Sequence, residues 1–261
     1  MISISQIRIR HLRQLVIDSG LYKIDVAAAC NRILERANRT QPGADGTKPP
    51  PDAILTKDKF DSAMRHIVAL SKSRMITDTQ RHLSELLTSI FHAFSCGGTG
   101  EVIARELACG FTVLCGGRKS DKLEFAFDLL DSDKDGRFNR NEMERYLQSF
   151  LTTLLSIATS SALEGSDTED ALTLMKGNRC SYSSDAILRT IEAGSRWATT
   201  QVFDAISVSS NKQKSSKSGD EKISFDDFAE WYTKGGYTSI PWLELLDLRK
   251  WVLTVPPQPQ R

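Results

Sequence analysis

Residues 131–142 read Asp131-Ser132-Asp133-Lys134-Asp135-Gly136-Arg137-Phe138-Asn139-Arg140-Asn141-Glu142. Three alternating aspartates, a glycine directly after the third, and a glutamate at the twelfth position strongly restrict what this stretch can form. A hard divalent cation wants six to eight oxygen ligands, and a loop wrapped around it presents them at alternating early positions. Asp131, Asp133 and Asp135 fill the first, third and fifth. Gly136 permits a sharp turn with positive φ. Arg137, at the seventh, would offer its backbone carbonyl, so its side-chain charge does not exclude it. Asn139, at the ninth, would act through a water, and Glu142 would supply both carboxylate oxygens. A surface turn with a chance glycine explains neither the full set of spacings nor the helical patterns on both sides.

Those patterns predict an all-α chain. Apolar residues recurring every three to four positions mark amphipathic helices. They place helices at about 4–16, 23–36, 56–71, 103–114, 121–130 and 141–157. Another carries Leu83, Leu86, Leu87, Ile90, Phe91 and Phe94, with Thr77 or Asp78 as its cap. A long helix is expected over about 185–206, with a possible break near Gly194, and a shorter one from 223 or 225 to 232. Pro241 would open a last apolar helix to 252, since a first helical position has no use for the missing N–H. Residues 38–52 are Gly/Pro-rich and read as a loop. Residues 158–184 read as a linker with one short helix at 168–175. Residues 207–219 are Ser/Lys-rich and expected to be disordered, and 255–261 to form an extended tail.

The 131–142 loop has relatives within the chain. Gly100, Val102 and Glu106 stand 36 residues before Gly136, Phe138 and Glu142, but Ser95, Gly97 and Thr99 replace the aspartates. Phe203 and Ile206 are spaced like Phe127 and Leu130, and the pattern resumes with Ile223 at the eighth position and Asp227 at the twelfth. An enlarged Ser/Lys-rich stretch separates them. A register using Ser216, Ser218 and Asp220 as early ligands puts Glu221 where glycine is wanted. Near the N-terminus, Leu55 fits an eighth position and Lys59 a twelfth, where a lysine argues against metal. At the eighth position the backbone is extended and pairs with a partner loop, which predicts Phe138 beside Ile223.

With these repeats the chain resembles the EF-hand superfamily, as four helix-loop-helix units in two pairs. Its layout is similar to the calmodulin and neuronal calcium sensor class, with larger insertions. Residues 8–130 also resemble, more loosely, the EF-hand region of dystrophin-type proteins, though with an intact third loop and no adjacent zinc module. The resemblance implies two lobes with short two-stranded loop pairings. Residues 1–116 would form a pair with degenerate loops, and 117–254 a pair with one intact loop and a C-terminal helix, followed by the 255–261 tail. It implies one calcium ion on Asp131, Asp133, Asp135, Arg137, Asn139 and Glu142, with magnesium possible in the same site. Lys134, Arg137 and Arg140 oppose the ion, so affinity of roughly 10⁻⁶ to 10⁻⁴ M is expected.

Charge and composition exclude other classes. The chain has 34 basic and 33 acidic residues, net +1, which gives no bulk attraction to nucleic acid or anionic membrane. No apolar run reaches a membrane span's length. Met1-Ile2-Ser3-Ile4-Ser5 lacks a signal-peptide h-region, and Ile2 stands where myristoylation needs glycine. The five cysteines, Cys30, Cys96, Cys109, Cys115 and Cys180, show no CxxC spacing and fit reduced, buried thiols of a cytoplasmic protein. His92 and Cys96 could hold a metal, but no further His or Cys ligand is near. No HExxH, GxSxG or P-loop occurs, so no enzyme is expected. The expected function is a calcium sensor. Glu142 would swing in, move the following helix, and expose Phe127, Met143 and Leu147 to an amphipathic partner helix. The alternative is a structural adaptor with one stabilising ion. The apolar 242–252 segment would cap the second pair or dock elsewhere.

Overall fold

The structure is a computed structural model, and it describes residues 6–38, 53–95, 100–160, 184–209 and 221–253. Outside these lie most of the 38–52 loop, residues 96–99 of the second loop, and most of the 158–184 linker with its expected helix at 168–175. The 210–219 part of the Ser/Lys-rich stretch, the 255–261 tail, Cys96 and Cys180 lie outside them too.

Among the described residues the fold is all-α with two small antiparallel strand pairs. Helix α1 (Gln6–Ser19) is followed by a 3₁₀ turn (Leu21–Lys23) and α2 (Val26–Asn38). Strand β1 (Ile54–Thr56) leads into α3 (Lys57–Leu70), and α4 (Thr77–Phe94) follows. Strand β2 (Glu101–Ile103) leads into α5 (Ala104–Phe111). After α6 (Lys119–Leu130) come the loop, β3 (Arg137–Phe138) and α7 (Arg140–Thr159). Helix α8 (Ser184–Ser209), β4 (Ile223–Ser224) and α9 (Phe225–Trp231) complete the second set.

The strands join the loops in pairs through their eighth positions. Leu55 lies opposite Val102 in β1–β2, and Phe138 opposite Ile223 in β3–β4. All four side chains are buried. In a strand, successive side chains alternate faces, so a two- or three-residue ladder suffices to send one apolar residue per loop inward. One continuous core runs beneath both ladders, with α7 packed against α4, α5 and α8. Its aromatic centre is Phe127 stacked on Phe138, ring centroids 3.7 Å apart, with Tyr146 edge-on to both. The Tyr146 hydroxyl donates to the Leu123 carbonyl at 3.1 Å, which satisfies the polar tip of a fully buried ring.

Two expectations are corrected. Helix α8 runs through Gly194 without a break. A Cβ there would lie 3.0 Å from Leu151 Cδ2, so this glycine permits close approach to α7 rather than ending the helix. The single helix expected to follow Pro241 is instead a 3₁₀ turn (Pro241–Leu246) and a π-type turn (Arg249–Leu253). Asp247 separates them, its carboxylate accepting from the Arg249 N–H at 3.2 Å, a local bond that competes with helix continuation. The segment still buries Leu243, Leu246, Leu248 and Val252, against α7 and also against α1.

Among the described cysteines, Cys30, Cys109 and Cys115 are free and buried. Burial raises the pKa of all three thiols, that of Cys115 to about 12. The thiolate is the reactive form, so these residues should resist modification. A Cys96→Ser/Cys180→Ser variant should take up essentially no disulfide-exchange reagent in minutes at about pH 8. It should react at all three remaining thiols once denatured. Rapid labelling of the native protein would contradict the burial.

Candidate metal centre

Helix α6 ends at Leu130, and Asp131 leaves it with extended backbone (φ −60°, ψ 104°). Gly136 then adopts φ 76°, a left-handed conformation that costs a residue with a Cβ about 1–2 kcal/mol. This turn aims backbone N–H groups back into the loop. Asp131 accepts from Lys134 N at 2.9 Å and from Gly136 N at 2.8 Å. Asp135 accepts from Arg137 N at 2.8 Å. The carboxylates are therefore oriented by the chain that carries them.

At the far end, Asn139 is the N-cap of α7. Its side chain accepts from Glu142 N, while Glu142 accepts from Asn139 N at 3.1 Å, a reciprocal capping box. The other Glu142 oxygen accepts from Ser132 N at 3.1 Å, closing the loop from its last residue to its second. Asp131 and Glu142 are buried. Oxygens of Asp131, Asp133 and Glu142 lie within 4.8 Å of one another. Three converging carboxylates, two of them buried, are a hard-oxygen donor set that suits calcium or magnesium.

The other positions are placed differently. Arg137 lies in β3 opposite Ser224. Asp135 lies outside the converging trio. One of its oxygens is 2.6 Å from Lys222 Nζ, and the same ammonium sits 2.6 Å from Asp133. Lys222 directly precedes Ile223, so the β3–β4 pairing delivers it to the loop. The hydrogen bonds that Lys222 donates to Asp133, then to Asp135, raise its pKa above its ordinary value, and Lys222 in turn lowers that of Asp133. Sequence reasoning missed this contact. The signal available was a basic residue adjoining the eighth position of the partner loop.

Two of the cations expected to oppose an ion are drawn away. Lys134 donates to the Asp128 carbonyl near the end of α6, where the helix dipole favours positive charge. Arg140 pairs with Glu221 at 3.2 Å and Asp204 at 3.8 Å, over the ring of Phe203.

The related loops use their twelfth residues structurally. Glu106 accepts from Arg145 of α7 at 2.7 Å. Asp227 forms a capping box with Ser224 at the start of α9. Away from the loops, a recess of about 370 Å³ opens between α3 and α4, its apolar lining supplied by Met64, Val68, Met75, Leu83 and Leu87. Ile76, beside it in sequence, is 70% exposed.

Part of the chain is similar to characterised proteins. It is 32% identical over 72 residues to Calcium-binding protein NCSA of Dictyostelium discoideum, covering 28% of this chain and 39% of that protein. It is 40% identical over 60 residues to Guanylyl cyclase inhibitory protein of Lithobates pipiens, covering 23% of this chain and 29% of that one. The matched stretches thus span well under half of these relatives. No family model matches the chain.

Proposed function

We propose that this chain is a non-catalytic, calcium-binding EF-hand module that regulates a partner protein, with one ion held by the 131–142 loop. The observation that carries the reading is the convergence of Asp131, Asp133 and Glu142 within 4.8 Å, in a loop that turns at Gly136. Asp135, the Arg137 carbonyl and Asn139 complete the proposed set. The partial likeness to a calcium-binding protein supports the choice of calcium, and magnesium would compete for the same oxygens. Calcium supplies a double positive charge that offsets the mutual repulsion of the loop carboxylates. Glu142 is the residue through which this reaches the fold, because it both closes the loop and caps α7.

Phe127, Met143 and Leu147 are fully buried in this structure, so exposing them requires α7 to move away from α6. The recess between α3 and α4 is already open and is the more accessible seat for an amphipathic helix. No helix among the described residues is long and apolar enough to cross a membrane, which is compatible with work in the cytoplasm.

A second reading is a structural adaptor stabilised by a single ion. The Glu106–Arg145 pair favours it, since this twelfth-position carboxylate is committed to holding α5 against α7. Calorimetric titration should give one calcium per chain at roughly 10⁻⁶ to 10⁻⁴ M. Hydrogen exchange with and without calcium then separates the readings. A regulatory module should show faster exchange across apolar parts of α6 and α7 or increased binding of an apolar dye. An adaptor should show only protection of the loop. Absence of binding at millimolar calcium would remove both readings.

A further inference from the structure

We propose that Lys222 is a tethered cation that competes with the metal for Asp133 and Asp135, so that the partner loop sets the calcium affinity of residues 131–142. This rests on the reading of that loop as a calcium site. Three observations carry it. The ammonium lies 2.6 Å from a carboxylate oxygen of each aspartate, the place a counter-ion takes between two like charges. Its backbone is fixed there independently. The neighbouring Ile223 is paired with Phe138 in the ladder, and Glu221 is held by Arg140 at 3.2 Å and by the Ser207 hydroxyl. Finally, Lys134 donates to the Asp128 carbonyl and Arg140 pairs with Glu221, whereas among the described residues Lys222 bridges two of the loop's aspartates.

The consequence is one of linkage. Metal and ammonium compete for the same two carboxylates, so the apparent affinity is the intrinsic affinity multiplied by the fraction of chains in which Lys222 has let go. If about one chain in ten has a released lysine, the competition weakens binding about tenfold. A flexible four-carbon stem suits this role, because the ammonium can withdraw to water while the backbone stays in the ladder. Metal entry would then expel a positive charge from the loop. The loop would tend to carry a cation in either state, which limits repulsion between Asp133 and Asp135 when no metal is present.

The test is calcium calorimetry at fixed ionic strength on the full chain, with Lys222→Met and Lys222→Arg variants. Methionine keeps the stem and removes the charge, and should tighten binding about tenfold. Arginine keeps the charge and should stay within about threefold of the parent protein. A second readout uses no metal. Without calcium, Lys222→Met should speed hydrogen exchange at the Phe138 and Ile223 amides, because Asp133 and Asp135 then repel without a counter-ion. Binding by Lys222→Met within about twofold of a parent protein that itself binds one calcium would overturn the proposal and leave the calcium reading intact. Failure of the parent and both variants to bind calcium would overturn the calcium reading, and this proposal with it. Measurable binding only after the lysine charge is removed would support the competition by Lys222 while overturning the reading of the unaltered chain as a calcium binder.

Discussion

Glu142→Gln should abolish measurable calcium binding, lowering affinity by about 100-fold or more. The substitution removes one negative charge from a site whose other converging carboxylates are Asp131 and Asp133. It also leaves one carbonyl oxygen where two carboxylate oxygens stood. In this fold the residue has a further duty. Its two oxygens accept from Ser132 N and Asn139 N, and an amide can accept only one of those bonds while turning a donor toward the other. The unpaired group would cost about 1–3 kcal/mol without any metal. Calorimetry and thermal unfolding in chelator should therefore both respond. Their balance separates the two functional readings, since a regulatory module loses calcium-dependent partner binding, whereas an adaptor mainly loses its thermal stabilisation by calcium. Retention of parental calcium affinity would sink the assignment of Glu142.

Phe138→Ala should destabilise the fold by about 3–5 kcal/mol, the usual range for removing a fully buried phenylalanine. This ring is fully buried, stacked on Phe127 and edge-on to Tyr146, and its backbone is the inner rung of β3–β4. Against a typical domain stability of about 5–15 kcal/mol, such a loss is large. Urea unfolding of the metal-free protein measures it. Paired with Phe127→Ala, the losses should fall short of additive, since either substitution alone already removes the ring stacking. A loss below about 1 kcal/mol would mean that the aromatic cluster does not hold the loops together.

Much of this architecture is legible in the sequence because it depends on local spacing. The twelve-residue pattern places Gly136 at the turn. Eighth-position residues identify which apolar side chains face inward, so Phe138 and Ile223 are found opposite each other as expected. Boundaries are less legible. Thr77 looks like a cap, yet it is the first residue of α4, and Ile76 occupies the cap without a side-chain bond. The C-terminal apolar stripe reads as one helix, but burial against α1 and α7 together with the Asp247 bond favours two short turns. Contacts between distant segments are not legible from periodicity at all. The Glu106–Arg145 pair, the capping box of Asp227 and the hold of Lys222 on Asp133 and Asp135 depend on which loops the fold brings together. For the same reason, Lys134 and Arg140 look like neighbours of an ion in one dimension and lie elsewhere in three.

The β3–β4 ladder also bears on the order in which the molecule assembles. The lysine that lies on Asp133 is 89 positions further along the chain. Local helices form quickly, whereas contacts of long sequence separation must first overcome the entropy of closing the intervening chain. The acidic loop can thus turn at Gly136 early, but it gains its opposing strand only when the distant segment docks. During synthesis, Asp131, Asp133 and Asp135 emerge well before Lys222 and Ile223. In that interval their charges have no counter-ion from the partner strand, so a nascent chain would meet soluble cations before its own lysine arrives.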